Sequence, residues 1–300
     1  MKVNSIKLIS IIIVGYNAGR HLPLCLDSIY SQTCKDFEVI FVDNGSIDNS
    51  ISILEFYPDV KVIYNYENKG FCFANNQAIK IARGEYVLTL NSDIVLDKQF
   101  LAKVKEAAYI SGAGLFGVKI LRKEGKVIDS TGLLVSRFYR FLDRGAGEID
   151  RGQYDNEADI FGPCAAAALY RKEMLDDIKY NGEYFDENFF FLGEDFDIAW
   201  RAKRKGWKAV FVPEALCYHA RNSTNFYRKF RQYLSFRNRY FLLIKNSSFK
   251  ISYLIVFFLY DVPRLCYMLF TNPYTFKMLY ESIKYTPRMR RKRLDNAEKI

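Results

Sequence analysis

Two short acidic clusters contain the residue types that group-transfer chemistry requires. Asn91-Ser92-Asp93 closes the hydrophobic run GEYVLTLNSDIVL, and Glu194-Asp195 follows three phenylalanines in FFFLGEDFDIAW. A carboxylate at the end of a strand is well placed to bind a divalent cation. A second carboxylate at a helix start, held near the first by the fold, could accept a proton. Together the clusters suggest metal-assisted transfer from a phosphorylated donor.

The elements that must position these clusters alternate between short apolar runs and helical patterns. The predicted strands are 8–14, 37–42, 60–64 and 86–90, and the helices between them are 22–32, 50–56 and 71–82. This order predicts an α/β fold with a doubly wound, mostly parallel, Rossmann-like sheet. Ligands bind such sheets at the carboxyl ends of the strands, where Asp43 and Asp93 lie.

The pattern is less regular from about residue 115 to 170. The segments VIDSTGLLVS and IFGPCAAAALYR are predicted as strands on either side of the polar loop 144–159. A helix is predicted from Glu194 to just before Gly206, a residue typical of helix C-termini. The short run KAVFVP is then predicted as the last strand before His219.

Charge separates the last quarter of the chain from the rest. Residues 226–300 contain 16 Lys/Arg and 4 Asp/Glu, a net charge of +12, whereas the remainder has 28 against 30, a net charge of −2. A local basic surface of this kind meets something anionic. We therefore predict a catalytic domain over 1–225, with a nucleotide-binding half (1–115) and an acceptor half (116–225). A basic, aromatic helical extension follows over 226–300.

The extension combines basic and apolar residues. Its first part, NFYRKFRQYLSFRNRYFLLIKN, interleaves arginines with aromatic residues at helical spacing. The later run ISYLIVFFLYDVPRLCYMLF is long enough to span a bilayer, but Asp261, Pro263 and Arg264 would lie near its middle, where they are costly. These patterns predict helices that lie on a membrane surface, followed by the basic segment PRMRRKR. The alternative is a helical hairpin packed on the core with a solvated basic face.

The composition and motifs of the sequence exclude several classes of protein. The six cysteines include no CxxC pair, which is typical of reduced thiols in a cytoplasmic protein. The N-terminal apolar run has no small-residue cleavage site and is predicted as a strand rather than a signal peptide. The sequence contains no GxGxxG after the first strand, no GxxxxGK[ST] and no GxSxG elbow. Since no nucleic-acid motif accompanies the basic tail, nucleic acid is not an expected partner.

An ordered set of motifs resembles the inverting, family 2-type nucleotide-sugar glycosyltransferases, which have the GT-A fold. The motifs are SIIIVGYNAGRHLPLCLDSIYSQT, FEVIFVDNGSIDNS, NKGFCFANNQAI, GEYVLTLNSDI, FDENFFFLGEDFDIAWRAKRKGW and then His219. The resemblance covers about residues 8–245. The segment YLSFRNRYFLLIKN and the NSD triplet are most similar to the rhamnosyltransferase-like branch. Its members commonly extend lipid-linked bacterial polysaccharides with dTDP-rhamnose, and a UDP-sugar donor is the alternative.

The resemblance implies a set of donor-binding residues, namely Tyr16, Asn17, Asp43, Asn68, Gly70, Asn75, Asn91 and Ser92. Asp43, at a strand end, could accept the imide N–H of uracil or thymine, although an aspartate before Asn-Gly-Ser also forms turns. Asn68, Gly70 and Asn75 surround a turn and a helix start, where glycine allows a close approach and the helix N-terminus favours phosphate.

The resemblance also assigns the metal and the base. Asp93 is the expected ligand for Mg²⁺ or Mn²⁺, together with the donor diphosphate, water and His219. The family usually has two aspartates in this motif, and here the first is Asn91. Asp195 is the expected general base, with Glu194 beside it to orient the site or contact the acceptor. The alternative is an acidic pair that merely stabilises the helix N-terminus.

The resemblance implies a transferase that takes a nucleoside-diphosphate sugar donor and a lipid-linked saccharide acceptor. We expect it on the cytoplasmic face of a membrane, where copies of the chain could associate. A nucleotidyltransferase would need a loop richer in glycine and basic residues than GYNAGRHL. A non-enzymatic alternative is a nucleotide-sugar-binding subunit whose NSD triplet no longer supports turnover.

Overall fold

The computed structural model of the protein describes residues 9–136, 139–221, 228–247 and 251–297, with the backbone alone for 251–252 and 294–297. Leu8, the predicted start of the first strand, and residues 225–227, at the start of the basic extension, lie outside these ranges.

Four parallel strands form the first half of the sheet, in the order β3-β2-β1-β4. They are β1 (Ile9–Gly15), β2 (Phe37–Asn44), β3 (Lys61–Asn65) and β4 (Tyr86–Asn91). Gly15 pairs with Asp43 across β1 and β2, and Val14 pairs with Asn91 across β1 and β4. The predicted site residues at these strand ends therefore meet along one edge of the sheet.

Helices cover both faces of these strands because successive side chains of a strand point to opposite sides. The helices are α1 (Leu22–Tyr30), α2 (Ser50–Leu54), α3 (Phe71–Ile81) and α4 (Phe100–Ser111). Ile11 and Ile13 of β1 belong to the buried cluster that contains α1 and α4. Ile12 belongs to the cluster that contains α3. The predicted doubly wound α/β fold is confirmed.

The sheet continues with strands of both directions. They are β5 (Ile94–Leu96), β6 (Leu115–Arg122), β10 (Ala167–Arg171) and β11 (Ala209–His219). β10 lies antiparallel between β4 and β6, β11 runs parallel to β6, and β5 pairs antiparallel with β11. Three short strands, β7 (Ile128–Ser130), β8 (Leu133–Val135) and β9 (Phe141–Asp143), complete this half.

Three strand predictions in the second half of the chain were wrong in extent. VIDSTGLLVS forms two short strands, β7 and β8, and only the end of IFGPCAAAALYR forms a strand, β10. KAVFVP is the beginning of a longer strand, because β11 continues past Pro213 to His219. Its pairing with β6 shifts register between Val212 and Leu216. Proline has no N–H to donate to the ladder, which explains an irregularity at this place.

The remaining helices follow β10. They are α5 (Lys172–Ile178), a 3-10 turn (Glu187–Phe189), α6 (Glu194–Arg204), α7 (Arg228–Asn246), α8 (Ile251–Val256), a π turn (Phe257–Asp261), α9 (Val262–Thr271) and α10 (Thr275–Ala297). α6 begins at Glu194, as predicted, and Gly206 beyond its end has the left-handed φ of 81° that favours glycine.

The C-terminal helices divide into a packed part and an exposed apolar part. α7 and α10 pack on the preceding part of the chain, and Lys245 of α7 and Lys292 of α10 are only 1% and 2% exposed in their side chains. Tyr253–Thr271 is 19 residues long and apolar enough to cross a membrane by length and composition, and 17% of its most apolar window is buried. Asp261 in this segment is buried and pairs with Arg239 of α7. The charge that argued against a spanning helix therefore faces the protein.

Candidate active site

A cavity of about 440 Å³ opens at the carboxyl ends of β1 and β4. Its other walls are formed by the start of α6, the end of β11 and the helices α7 and α9. Nine of the twelve predicted site residues line it: Tyr16, Asn68, Gly70, Asn91, Ser92, Asp93, Glu194, Asp195 and His219. The cavity thus brings the two acidic clusters together.

The other three predicted residues do not line the cavity. Asp43 accepts the backbone N–H groups of Gly45 and Ser46 through Oδ2, and its buried Oδ1 has no hydrogen-bond partner in the described structure. Asn17 ties two loops together, since its Oδ1 accepts the N–H of Ile47 at 2.9 Å. Asn75 is buried and donates to a carbonyl of its own helix, α3. Their nucleotide-binding roles remain predictions.

The loop before α3 is held close to the loop before α6. Asn68 Oδ1 accepts the N–H of Gly70 at 2.9 Å and the side-chain amide of Asn44 at 3.0 Å. Gly70 has a φ of 88°, and a Cβ at this position would lie 2.4 Å from the ring of Phe190. Glycine is therefore required here by the backbone and by the close approach.

His219 lies between two carboxylates. Its Nε2 is 3.2 Å from Oδ1 of Asp93, and its Nδ1 is 2.8 Å from Oδ2 of Asp129. Asp129 also pairs with Arg221. Burial opposes a charge on His219, but hydrogen bonds to Asp129 and Asp93 outweigh it and raise its pKa to about 9. The imidazole thus carries a proton that a metal would have to displace.

The pair Asp93 and His219 fits a divalent cation. Adjacent ligand atoms of an octahedral Mg²⁺ lie about 3 Å apart, close to the 3.2 Å between Asp93 Oδ1 and His219 Nε2. The carboxylate of Asp129 lies at Nδ1 of His219. This carboxylate–histidine arrangement fixes the tautomer of a metal-binding histidine and leaves its Nε2 for the metal. Within the described ranges no three His, Cys, Asp or Glu side chains are grouped to hold a metal. The donor diphosphate and water would therefore have to complete the coordination.

Glu194 and Asp195 lie at the start of α6, where Glu194 is buried and Asp195 faces the cavity. A helix N-terminus lowers the pKa of a carboxylate. Here burial, reinforced by the charge of Asp143, instead raises the pKa of Asp195 to about 7. Burial and the charge of Asp195 raise the pKa of Glu194 as well. Asp195 therefore has the proton affinity that general-base catalysis near neutral pH requires.

The loop that delivers these carboxylates is strained. Phe190 and Leu192 have φ values of 65° and 71°, unusual for residues with large side chains. Asn238 of α7 donates its side-chain amide to the carbonyl of Leu192 at 2.7 Å and to that of Phe191 at 2.8 Å. Such strain costs roughly 1–3 kcal/mol per residue and persists only where the surroundings fix the backbone. α7 thus helps to hold the loop before the candidate base.

A buried ion network, formed by Asp186, Asp197, Lys245 and Lys292, supports the same loop and helix. Lys245 Nζ lies 2.8 Å from both Asp186 and Asp197, and Lys292 Nζ lies 2.7 Å from Asp186. Burial alone would raise the pKa of Asp186, but Lys245 and Lys292 hold it well below its usual range. Asp197, two residues after Asp195, is therefore a structural anion and does not line the cavity.

Several residues of the cavity and its support were missed from the sequence. Asp129 stands in VIDSTG, where no local pattern marks it, and only the fold brings it to His219. Arg237, Asn238 and Arg239 are consecutive, and all three are buried. Three adjacent polar residues on a helix with apolar neighbours cannot all face solvent. That signal was present in YLSFRNRYFLLIKN.

The fold is that of a GT-A glycosyltransferase. The glycosyl transferase family 2 model matches residues 10–179, more than half of the chain, and the chain belongs to this family. A second model, glycosyl transferase family group 2, matches residues 158–286. The predicted family is confirmed, and the rhamnosyltransferase-like branch remains a prediction.

Relatives agree with this assignment. The glycosyltransferase YfnE of Bacillus subtilis is 40% identical over 184 residues, which are 60% of this chain and 42% of that protein. A PGL/p-HBAD biosynthesis glycosyltransferase of Mycobacterium bovis is 32% identical over 184 residues, 59% of this chain and 64% of that protein. The chain thus spans less than two thirds of the curated relatives it matches.

Solved structures share the fold. TarS 1-349 of S. aureus in complex with UDP has a TM-score of 0.60 at 19% identity, over 96% of this chain and 88% of that chain. The mannosyltransferase PcManGT of Pyrobaculum calidifontis, in complex with GDP-Man and Mn2+, has a TM-score of 0.59 at 16% identity, over 99% and 87%. At these identities the likeness concerns the fold.

Proposed function

We propose that this chain is an inverting, metal-dependent transferase that moves a sugar from a nucleoside-diphosphate donor to a lipid-linked saccharide. The main support is that one cavity holds a carboxylate with a raised pKa, Asp195, together with the pair Asp93 and His219. Membership of glycosyl transferase family 2 favours glycosyl transfer over the nucleotidyltransferase alternative.

In the proposed reaction Asp195 accepts the proton of the acceptor hydroxyl. The acceptor oxygen then bonds to the anomeric carbon of the donor sugar, and the bond from that carbon to the diphosphate oxygen breaks on the opposite face. Glu194 has a buried Oε2 without a hydrogen-bond partner in the described structure, which suits a contact with a sugar hydroxyl. The strained loop and Asn238 keep both carboxylates in place.

Asp93 and His219 would hold the cation, and Asp129 would orient His219. When bound, Mg²⁺ or Mn²⁺ would stabilise the negative charge of the departing nucleoside diphosphate. GalNAc-T7 and PcManGT, which share the fold, were both solved with Mn2+, and this supports the same cofactor class here.

The identity of the donor is proposed from two sequence motifs and from a solved structure with the same fold. The segment YLSFRNRYFLLIKN and the NSD triplet favour dTDP-rhamnose, because they resemble the rhamnosyltransferase-like branch. A UDP-sugar is the second candidate, since TarS 1-349 was solved with UDP-GlcNAc. Asp43 is compatible with either pyrimidine, because its unpartnered oxygen could accept an imide N–H.

We place the protein on the cytoplasmic face of a membrane. Large apolar side chains on the outer side of α9 and the π turn are exposed, among them Leu259 at 76% and Phe270 at 91%. Exposed apolar patches of this kind mark contacts with membranes or partners. A saccharide carried on a lipid would meet the enzyme at such a surface.

The test is donor turnover by the purified chain of residues 1–300. We expect nucleoside diphosphate release from dTDP-rhamnose or a UDP-sugar with Mg²⁺ or Mn²⁺, and faster release when a lipid-linked saccharide acceptor is added. Excess EDTA should abolish the release. Turnover that is unaffected by EDTA would contradict the metal role. Donor binding without any turnover would favour the nucleotide-sugar-binding subunit.

Asp129→Asn tests how His219 is oriented. Because Asp129 fixes the ring through Nδ1, its loss should weaken Mn²⁺ binding about 10–100-fold. The measurement is titration of Mn²⁺ in the presence of UDP or dTDP, followed by electron paramagnetic resonance of free Mn²⁺. Asp159→Asn, an exposed substitution, is the matched control. Equal Mn²⁺ affinity in both variants would remove His219 from the proposed site.

A further inference from the structure

Besides Arg221, which pairs with Asp129, four arginines from three parts of the chain line the cavity. Arg140 precedes β9, Arg231 and Arg239 lie on α7, and Arg264 lies on α9. The guanidinium carbons of Arg140, Arg239 and Arg264 lie 5.9, 5.4 and 6.0 Å from the centre of the Tyr260 ring. Three of the four arginines therefore lie against the ring of Tyr260. We call the four residues the arginine rim.

Most of the charge on the arginine rim is not neutralised. Asp261 pairs with Arg239, with Oδ1 2.9 Å from Nε. The other three, Arg140, Arg231 and Arg264, form no ion pair with a carboxylate in the part of the chain that the structure describes. Guanidinium groups collected in a concave wall favour an anion with several oxygen atoms, such as a phosphate.

The arginine rim lies near the candidate base. The ring of Phe141 is centred 5.1 Å from that of Phe196, the residue after Asp195. The same ring lies 5.7 Å from the guanidinium carbon of Arg239. Phe141 therefore bridges the base and the arginine rim. An acceptor sugar whose hydroxyl faces Asp195 would have its neighbouring groups within reach of these arginines.

The arginine rim also borders exposed apolar surface. Phe258 and Leu259 directly precede Tyr260 and are 63% and 76% exposed. The charged residues of this segment do not interrupt that surface, because Asp261 pairs with α7 and Arg264 lines the cavity. A cationic rim beside an apolar surface is complementary to a lipid phosphate, whose head is anionic and whose chain is apolar.

We propose that the arginine rim binds the phosphate groups that join the acceptor saccharide to its lipid, while the lipid chain lies along the apolar surface at Phe258 and Leu259. This inference rests on the proposed function and names the acceptor class for the same cavity. It assigns a second anion subsite, separate from Asp93 and His219, which serve the donor diphosphate.

The test uses farnesyl diphosphate, a short lipid diphosphate, as the probe. Isothermal titration calorimetry measures the binding of farnesyl diphosphate to the whole chain. EDTA is present so that no metal ion occupies the proposed donor site. Replacing one partner of a charge-assisted hydrogen bond should weaken binding at least about tenfold. We expect this loss in Arg140→Gln and Arg264→Gln, and in Arg231→Gln as a further variant. Arg290→Gln removes the same charge from an exposed position of α10 and should bind like the unchanged protein.

Three outcomes would overturn the inference. Farnesyl diphosphate affinity could be equal in the rim variants and in Arg290→Gln. Inorganic diphosphate could bind as tightly as farnesyl diphosphate, which would show an anion site without lipid. The rim variants could lose UDP or dTDP binding with Mn²⁺ by the same factor, which would assign the arginines to the donor.

The proposed function and the proposed lipid-phosphate subsite can be refuted independently of each other. If farnesyl diphosphate binding depends on the arginine rim but no nucleotide binds with Mn²⁺, the subsite stands and the donor chemistry is wrong. If donor turnover is intact and the rim variants bind farnesyl diphosphate normally, only the subsite is wrong. Thermal unfolding midpoints equal to that of Arg290→Gln would show that the rim variants are folded.

Discussion

Replacing Asp195 by asparagine is expected to lower kcat for glycosyl transfer about 1,000-fold, because general-base catalysis contributes typically 10²–10⁴-fold. The donor KM should change little, since Asp195 is proposed to contact the acceptor. In the unchanged protein, kcat/KM for the acceptor should rise with pH as the base ionises and level off above its pKa of about 7. Asp195→Asn should lack that rise. Initial rates across a pH series measure both effects.

Stability distinguishes loss of a base from loss of the fold. Because burial raises the pKa of Asp195, ionisation disfavours the folded state, and that penalty grows as pH rises through about 7. Asp195→Asn should therefore unfold at the same temperature or a higher one at pH 8. Asp59→Asn, an exposed control, should change neither rate nor stability. A full transfer rate in Asp195→Asn would refute the base assignment.

Replacing Lys245 by methionine is expected to cost about 3 kcal/mol of unfolding free energy, the lower end of the 3–5 kcal/mol for removing one partner of a buried ion pair. The lower end applies because Lys292 still faces Asp186 and Arg201 still faces Asp197. Lys284→Met, on the exposed side of α10, should stay within about 0.5 kcal/mol. Urea unfolding at pH 7 measures both.

The buried ion network also has a pH signature. Lys245 and Lys292 depress the pKa of Asp186, so their stabilisation is present above the usual aspartate pKa and is lost as pH falls. The difference between Lys245→Met and the unchanged protein should therefore shrink in acid. Asp197→Asn should cost less in the Lys245→Met background than in the unchanged protein, because the pair between Lys245 and Asp197 is already lost there. Additive effects in this double-mutant cycle would contradict a coupled network.

The sequence predicted the parts of the fold that local pattern determines. The β-branched run of β1 and the helical spacing of α1 and α3 depend on neighbouring residues, and their bounds were close to those observed. β11 was predicted too short because Pro213 is usually a strand breaker, whereas here the pairing with β6 shifts register around it. A proline is accommodated here because β11 pairs with a strand that is distant in the chain. Such pairing cannot be derived from the sequence of one segment.

The same distinction applies to the candidate site. Asp93 and Asp195 were found because each ends or begins an element with a clear pattern. Asp129 was not predicted as a site residue, because its proximity to His219 depends on the pairing of β7 and β11 with β6. The basic extension was predicted as a membrane surface from its composition. Four of its cationic side chains instead pack in the interior of the protein, namely Arg237, Arg239, Lys245 and Lys292.

The buried ion network has a consequence for the order in which the enzyme matures. Lys292 and Asp186 are separated by 106 positions in the chain, and Lys245 and Asp197 by 48. Contacts between such distant positions require long loops to close and tend to form late in folding. The sheet that carries Asp93 can be complete while α10 is still being synthesised. A nascent chain would thus form the predicted nucleotide-binding half before the candidate base, Asp195, is fixed in place, and we expect transfer activity only after α10 docks.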